Sequence, residues 1–138
     1  MRAFRYLRHT ADLRIEIRGK DLKELFQNAG KAFFSVLTDR RKIKKNEKLE
    51  VAVTAESAEE LLVNWLNELI YVFEVKKMVF GQIKILKLSK TELSAQLKGE
   101  KFNPAKHVII DKPKAATYHL FKIEKSQSNF TAKVVFDL

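Results

Sequence analysis

The chain has 138 residues and a mass of 16.0 kDa, with 46% hydrophobic and 32% charged residues. This length and apolar content predict one domain, covering 1–138, and exclude a disordered chain. The absence of cysteine excludes a disulfide scaffold, a cysteine-ligated metal and a thiol nucleophile. The formal net charge of +10 favours an anionic partner, although a lysine- and glutamate-rich surface of the thermophilic kind explains it equally well.

The amino-terminal sequence MRAFRYLRHTADLRIE lacks the apolar segment of a secretory signal and carries an arginine every few residues. Elsewhere, Lys, Glu or Asn interrupts each apolar stretch well short of the roughly twenty residues that span a bilayer. The sequence therefore predicts a cytoplasmic protein with no membrane partner. The lack of cysteine agrees with a reducing compartment.

Residues 13–39 predict one strand followed by one helix. Residues 13–18 (LRIEIR) alternate apolar and charged side chains, as a half-buried strand does. Gly19 then provides a turn, and Asp21 is suited to cap the amino terminus of a helix. Apolar residues at spacings of three and four, including phenylalanines, predict that this helix faces a core and ends near Thr38-Asp39.

The middle of the chain begins with its most basic run, RRKIKKNEK at 40–48, and continues into a predicted strand at 49–55. Ser57 and Glu60 have the spacing of a capping box, which predicts a long helix from there to about Lys76. The second half then reads as strands at 83–88, 92–98, 115–124 and 130–136, joined in part by hairpin loops. These elements predict an α+β fold in which two helices pack on an antiparallel-rich or mixed β-sheet.

A short polar link, His9-Thr10-Ala11-Asp12, joins two strand-like segments, and a rigid sheet would hold such a link in a fixed position. The last predicted strand runs directly into Asp137-Leu138, which offers a carboxylate, a backbone carbonyl and a terminal carboxylate. If Asp12 lies nearby, these oxygens converge without a local lysine, and a divalent cation would balance their charge. An ordinary turn and a solvated chain end remain the alternative interpretations.

Other chemistry is weakly supported by the residues alone. His9, His107 and His119 could in principle hold zinc, but they lack the short spacings of zinc sites, which favours structural roles. Four scattered glycines cannot build a phosphate-binding loop, and no serine lies in a nucleophile elbow. The basic run could touch RNA phosphates, although it contains no aromatic residue for base stacking.

The chain resembles the archease family nearly from end to end, in six blocks that keep their order and spacing. The blocks are RHTADLRIEIRG at 8–19, LFQNAGKAFFSVLTD at 25–39, ELLVNWLNELIYVFE at 60–74, KGEKFNPAKH at 98–107, KAATYH at 114–119 and VVFDL at 134–138. Archeases are single α+β domains, so the resemblance implies the fold class predicted above.

The resemblance also implies an accessory role rather than an enzyme. Archeases activate the GTP-dependent RNA ligase of tRNA splicing, promoting its guanylylation and its multiple turnover, so tRNA would be reached indirectly through the ligase. Some were described earlier as possible chaperones. Family members bind a divalent cation, typically calcium, with magnesium or manganese as alternatives. The matching positions in this sequence are Asp12, Asp137 and Leu138.

Further positions fall in family blocks and are expected to have supporting or partner-contact roles: His9, Asp39, Glu100 and Lys114. The chain departs from the family pattern at Asn103, where an acid is usual, and at Lys112-Pro113, where an acidic-aliphatic pair is usual. The first departure puts a ligand or contact at that position in doubt, and the second could alter the edge of the following strand.

Three other functions stay open at the level of sequence. An RNA-binding module would use the basic residues of the run, Arg40, Arg41, Lys42, Lys44 and Lys45. A general protein chaperone would need an exposed apolar patch, which the sequence does not reveal. A stand-alone enzyme is the least favoured, because no nucleophile or cofactor motif accompanies His9 and Asp12. The sequence does not predict an oligomeric state.

Overall fold

The computed structural model describes residues 3–8, 12–117 and 122–138. Its elements in chain order are β1 (Phe4–Arg8), β2 (Asp12–Gly19), α1 (Leu22–Leu37), a 3-10 turn (Arg40–Lys42), β3 (Glu47–Thr54), α2 (Ala58–Tyr71) with a π-helical extension (Val72–Lys76), β4 (Met78–Leu88), β5 (Glu92–Lys101), β6 (Ala115–Thr117), β7 (Ile123–Lys125) and β8 (Phe130–Asp137). The predicted α+β class is confirmed.

The strands form two sheets, and every strand pair between the described residues is antiparallel. The first sheet has the order β1-β2-β8-β6, with β7 also pairing with β8, and the second has the order β3-β5-β4. The sequence had suggested one sheet, because strand patterns report which residues are half-buried and not which strands pair.

Helix α1 begins where the sequence predicts. The Asp21 carboxylate accepts a hydrogen bond from the Glu24 N–H at 2.8 Å and so satisfies one of the free donors of the first turn. The helix ends at Leu37. Its three phenylalanines, Phe26, Phe33 and Phe34, are at most 1% exposed, which makes them core residues.

Helix α2 begins with the predicted cap, since the Ser57 hydroxyl accepts from the Glu60 N–H at 3.1 Å. Its Trp65 is fully buried, and the indole N–H donates to the Phe26 carbonyl of α1 at 2.9 Å. That bond satisfies the polar group of the largest core side chain and fixes α2 against α1. The π-helical extension ends at Lys77, which has a left-handed backbone with φ of 54°.

The buried faces of both sheets share one core with the helices. Ile15 and Val134 of the first sheet belong to the same buried cluster as Ile83 and Leu97 of the second. Because side chains alternate along a strand, the residues between these positions lie on the opposite faces of the two sheets. Those outer faces carry most of the charged strand residues discussed below.

The strands differ in part from their predicted bounds. The strand-like segment expected before His9 is β1, and β4 begins at Met78 instead of near 83, because the first residues of β4 are buried consecutively and show no alternation. The strand predicted at 115–124 is present as β6 and β7, and the residues between them lie outside the described part of the chain. No helix within the described ranges is long and apolar enough to cross a membrane.

Candidate metal site at the end of the first sheet

The pairing of β2 with β8 brings the two candidate aspartates together. The register begins with Asp12 opposite Asp137 and continues without interruption to Gly19 opposite Phe130. Residues directly opposite each other on antiparallel strands have Cβ atoms about 4.5–5.5 Å apart, and two like charges in such a pair destabilise the sheet. The chain therefore places two carboxylates side by side although 124 residues separate them in sequence (137 − 12 − 1).

The alternation along β2 determines where Asp12 lies. Leu13, Ile15 and Ile17 are fully buried against the core, so Asp12 and Arg14 lie on the outer face of the sheet. The Asp12 side chain is 25% exposed, yet its Oδ1 atom is buried and accepts no hydrogen bond from any described residue. A buried carboxylate oxygen without a donor is costly, which marks this atom as available for a ligand.

Arg14 is the site residue that sequence reasoning missed. Its Nε lies 3.7 Å from Asp12 Oδ1, close enough for an ion pair but too long for a hydrogen bond, and Nε also lacks a hydrogen-bond partner among the described residues. From the sequence we expected only that no lysine would lie near the two aspartates. The two-residue spacing of Asp12 and Arg14 on a predicted strand was the signal that both side chains share one face.

Strand β6 completes the site from the other side of β8. The Lys114 N–H donates to the Asp137 carbonyl at 2.7 Å, and the next residue, Ala115, pairs with Asp137 in the sheet. Lys114 and Leu138 also line an open cleft of about 560 Å³ together with Glu74, Asp111 and Lys112. Three of the predicted positions, Asp137, Leu138 and Lys114, are therefore neighbours.

The oxygens of this site suit a hard divalent cation. Two carboxylates lie opposite each other, and one of their oxygens, Asp12 Oδ1, is buried without a hydrogen-bond donor among the described residues. Calcium and magnesium prefer such oxygen ligands. The described side chains include no group of three or more His, Cys, Asp or Glu residues arranged to hold a metal. A cation here would consequently take two carboxylates and fill its other positions with backbone oxygens or water.

The Asp39 carboxylate binds Arg41, two residues further along the chain. It caps the 3-10 turn, accepting from the Arg41 N–H and from the Arg41 guanidinium at 3.1 Å in each case. The Arg41 guanidinium beside it, followed by the backbone hydrogen bond, lowers the pKa of the Asp39 carboxyl. The Phe33 ring of α1 lies 6.0 Å from the ring of Phe136, which pairs with Leu13, so the second half of α1 packs near the Asp12 end of β2.

The Glu100 carboxylate has three hydrogen-bond partners within the protein. Its Oε2 accepts from Lys106 Nζ at 2.7 Å, from the Lys44 N–H at 2.9 Å and from His107 Nε2 at 2.9 Å. Burial acts to raise the pKa of this carboxyl, but the hydrogen bonds from Lys106, Lys44 and His107 outweigh it and hold the pKa at about 2. Glu100 thus ties two loops to the end of β5.

His107 has a structural role, as the spacing of the histidines favoured. It is 2% exposed, and its Nδ1 accepts the Asn103 N–H at 2.8 Å while its Nε2 contacts Glu100. Since Nδ1 accepts, the proton is on Nε2 and donates to the carboxylate. Both nitrogens are occupied, so His107 is not free to bind zinc. The other two histidines, His9 and His119, lie outside the described residues.

The Asn103 side chain accepts a backbone hydrogen bond that a carboxylate at this position could also accept. Its side-chain oxygen accepts from the Ala105 N–H at 3.0 Å, and its carbonyl accepts from the N–H groups of Lys106 and His107. These bonds close the turn that presents His107 to Glu100. The departure from the family pattern at Asn103 is therefore compatible with an ordered loop. At the other departure, Lys112 lies 3.7 Å from the Glu74 carboxylate.

Comparisons with known proteins agree with this architecture. Residues 4–138 match the model of the Archease protein family (MTH1598/TM1083). The protein archease of Methanosarcina mazei is 36% identical over 139 residues, covering 98% of this chain and 95% of its own length. That of Pyrococcus furiosus is 37% identical over 142 residues, covering both chains completely.

Two solved structures are similar in fold. The solution structure of Methanobacterium thermoautotrophicum protein 1598 has a TM-score of 0.83 and 31% identity, with both chains covered completely. The crystal structure of an archease, possible chaperone, from Thermotoga maritima has a TM-score of 0.69 and 27% identity, covering 100% of this chain and 98% of that one.

The fold and site define an α+β domain with a pair of opposed carboxylates at one sheet end. The family model matches nearly the whole chain, and the relatives named above from two archaea are more than 30% identical to it. The chain belongs to the archease family. The names of these relatives describe archeases or a possible chaperone and none describes an enzyme.

Proposed function

We propose that the chain is a metal-binding accessory protein of the cytoplasm that activates a GTP-dependent tRNA-splicing RNA ligase. It would promote guanylylation of the ligase and its multiple turnover without catalysing a reaction itself. The observation that carries this proposal is the opposition of Asp12 and Asp137, with Asp12 Oδ1 buried and lacking a hydrogen-bond donor among the described residues. Membership of the archease family supports the identity of the partner.

Asp12 and Asp137 would hold the cation through their carboxylates, with the backbone oxygen of Leu138 as a third ligand. Calcium fits better than magnesium, because two strand-borne carboxylates and a backbone oxygen do not impose the strict octahedron that magnesium demands. The bound cation would supply positive charge for phosphate oxygens. The Lys114 N–H would keep the Asp137 backbone in place through its bond to the carbonyl.

Charged neighbours would assist contact with an anionic group. The Arg14 guanidinium lies beside Asp12 with no hydrogen-bond partner for its Nε among the described residues, and Lys114 lines the adjacent cleft. Both cations could contact phosphate oxygens of a nucleotide held in the partner's active site, since guanidinium and ammonium groups both bind phosphate. The ligase would hold the tRNA, so this protein would reach RNA at the site only indirectly.

The decisive experiment compares three isosteric variants in multiple-turnover ligation. Asp12→Asn and Asp137→Asn each remove one carboxylate and should abolish stimulation of the ligase and calcium binding measured by titration calorimetry. Asp21→Asn is the matched control, because asparagine caps helices as well as aspartate does. Stimulation equal to wild type by both site variants, with native circular dichroism spectra, would refute the proposal.

A second candidate function, a protein chaperone, is favoured by an apolar segment that the sequence did not reveal. Val108 and Ile110 are 70% and 60% exposed. Their backbone is fixed, because the Thr38 hydroxyl donates to the Val108 carbonyl at 2.7 Å and the Ile110 N–H donates to the Leu37 carbonyl at 2.8 Å. A rigid exposed apolar segment is a feature of protein-binding surfaces.

The chaperone candidate has its own test. The double variant Val108→Ser/Ile110→Ser keeps the backbone bonds and removes the apolar side chains. Under this function, the wild type slows aggregation of unrelated unfolded proteins and the double variant does not. If neither protein slows aggregation, the chaperone candidate fails and the ligase proposal is untouched.

A further inference from the structure

The outer face of the second sheet is uncovered by any described element. Its inner face packs on the helices, with Ile85, Ala95 and Leu97 fully buried. The opposite face presents rows of side chains, polar except for Ala52, that the strand register defines: Lys48, Lys98 and Gln82 in one row, Glu50, Gln96 and Lys84 in the next, and Ala52, Ser94 and Lys87 in the third. We name these nine residues the lysine face.

The first row of the lysine face contains an uncompensated pair of like charges. Lys48 lies directly opposite Lys98, which puts their Cβ atoms about 4.5–5.5 Å apart. Neither ammonium has a carboxylate within salt-bridge distance among the described residues. Lys84 and Lys87 add two more cations without such a partner. This row therefore concentrates positive charge that an anionic partner would neutralise.

The loop before β3 extends the positive charge. Glu100 accepts the Lys44 N–H and so fixes this loop to the end of β5, two residues from Lys98. The Glu100 charge is itself compensated by Lys106 at 2.7 Å, so it does not offset the lysine face. Lys45 is exposed in the same loop.

The two arginines of the basic run each bind a group of the protein. Arg40 Nη1 donates to the Gly81 carbonyl at 3.0 Å, and Arg41, whose side chain is 90% exposed, pairs with Asp39. The lysine face itself carries no arginine, and lysines bind phosphate as mobile point charges without reading base identity. No aromatic side chain lies on the lysine face, so base stacking is absent as a source of affinity.

We propose that the lysine face binds the phosphodiester backbone of RNA, independently of sequence, through Lys48, Lys98 and Lys84. Ser94, Gln82 and Gln96 lie between these lysines and offer uncharged donors and acceptors. Such groups can bind a 2′-hydroxyl, which distinguishes RNA from DNA. This surface belongs to the second sheet and does not depend on the aspartates of the first.

The test measures binding of a fluorescein-labelled 20-nucleotide RNA by anisotropy at several salt concentrations. Lys48→Gln/Lys98→Gln removes two charges from the lysine face. The control Lys122→Gln/Lys133→Gln removes two exposed charges, one just before β7 and one on β8, and leaves the same net charge. For a single strand, two lost phosphate contacts should reduce the slope of log K against log salt by about 1.4 and weaken binding about 10- to 30-fold near 0.1 M salt.

The proposal predicts that the control double variant binds RNA within about 2-fold of wild type, since neither lysine would be a phosphate contact. Equal weakening by both double variants would overturn it, because net charge and not this surface would then govern affinity. Absence of RNA binding by the wild type at 50 mM salt would overturn it as well. DNA of the same sequence should bind more weakly, and equal affinity would overturn the assignment to RNA.

Discussion

Each sheet of this protein opposes two like charges across neighbouring strands, but the two pairs differ in their surroundings. Asp12 faces Asp137 in the first sheet, and Lys48 faces Lys98 in the second. Asp12 has a buried oxygen without a hydrogen-bond donor among the described residues, whereas Lys48 is exposed to water. Solvent and salt screen an exposed pair, while a desolvated carboxylate needs a specific ligand. The aspartate pair is therefore suited to bind one cation at a defined position, whereas the lysine pair is suited to an extended surface for a polyanion.

The largest expected effect comes from replacing one aspartate of the first pair. Asp137→Lys would place an ammonium opposite Asp12 and so remove both a ligand and the charge that attracts a cation. Wild type should gain about 2.7 kcal/mol of unfolding free energy when calcium is present at about 100 times its dissociation constant. The variant should gain nothing, as measured by urea denaturation with calcium and with a chelator.

In the chelator, Asp137→Lys should be at least as stable as wild type, since opposite charges replace like charges across the strands. If the variant keeps the full calcium-dependent gain in unfolding free energy, Asp137 is not a calcium ligand. The aspartate pair would then not differ from the lysine pair as a specific cation site. Any cation site would lie elsewhere in the molecule.

Glu100 is a useful contrast to Asp12, because it is a partly buried carboxylate that accepts hydrogen bonds from groups of the protein itself. Glu100→Gln should lower the free energy of unfolding by about 1–3 kcal/mol at neutral pH through lost charge-assisted bonds to Lys106 and the Lys44 N–H. Calcium should not alter this loss. Glu92→Gln, an exposed strand substitution, is the control and should change stability by less than about 0.5 kcal/mol.

The same variant has a defined pH dependence. The folded pKa of Glu100 is lowered from 4.5 to about 2, so its contribution is fully present above about pH 4.5 and is lost as the pH falls toward 2. The stability difference between wild type and Glu100→Gln should therefore shrink across this window. Urea denaturation at several pH values would measure it, and a constant difference would contradict the assigned pKa.

The smallest effect concerns Lys48, which is exposed, and Lys98, which is half-buried. Lys48→Glu should raise the free energy of unfolding by about 0.2–1 kcal/mol, because an attractive pair replaces a repulsive one. The double variant Lys48→Glu/Lys98→Glu restores like charges and should lose that gain. At 1 M salt, where the screening length is about 3 Å, the gain should be greatly reduced. A gain that persists unchanged would mean that the pair is not screened as its exposure implies.

Much of the fold could be predicted because its signals are local. The caps at Asp21 and Ser57 depend on side chains within three residues of the groups they bind. The alternation along β2 likewise reports burial directly. The predictions failed where buried residues run consecutively, as at the start of β4.

The site residues Asp12 and Asp137 came from the sequence through family blocks, and no local pattern linked them. Arg14 could have been added from its place on the same strand face. The roles of Asp39 and Glu100 could not, since nothing in their spacing predicts that Arg41 binds the first or that Lys106 and His107 bind the second.

By itself, the sequence determined the two helices, the charge of the strands and the family to which the chain belongs. Only the tertiary structure decided which strands are neighbours, and hence that Asp12 meets Asp137 and Lys48 meets Lys98. The physical reason is that strand pairing joins backbone groups far apart in the chain, so its register follows from the shared core. A register shifted by one residue would move every one of these charges to the other face of its sheet.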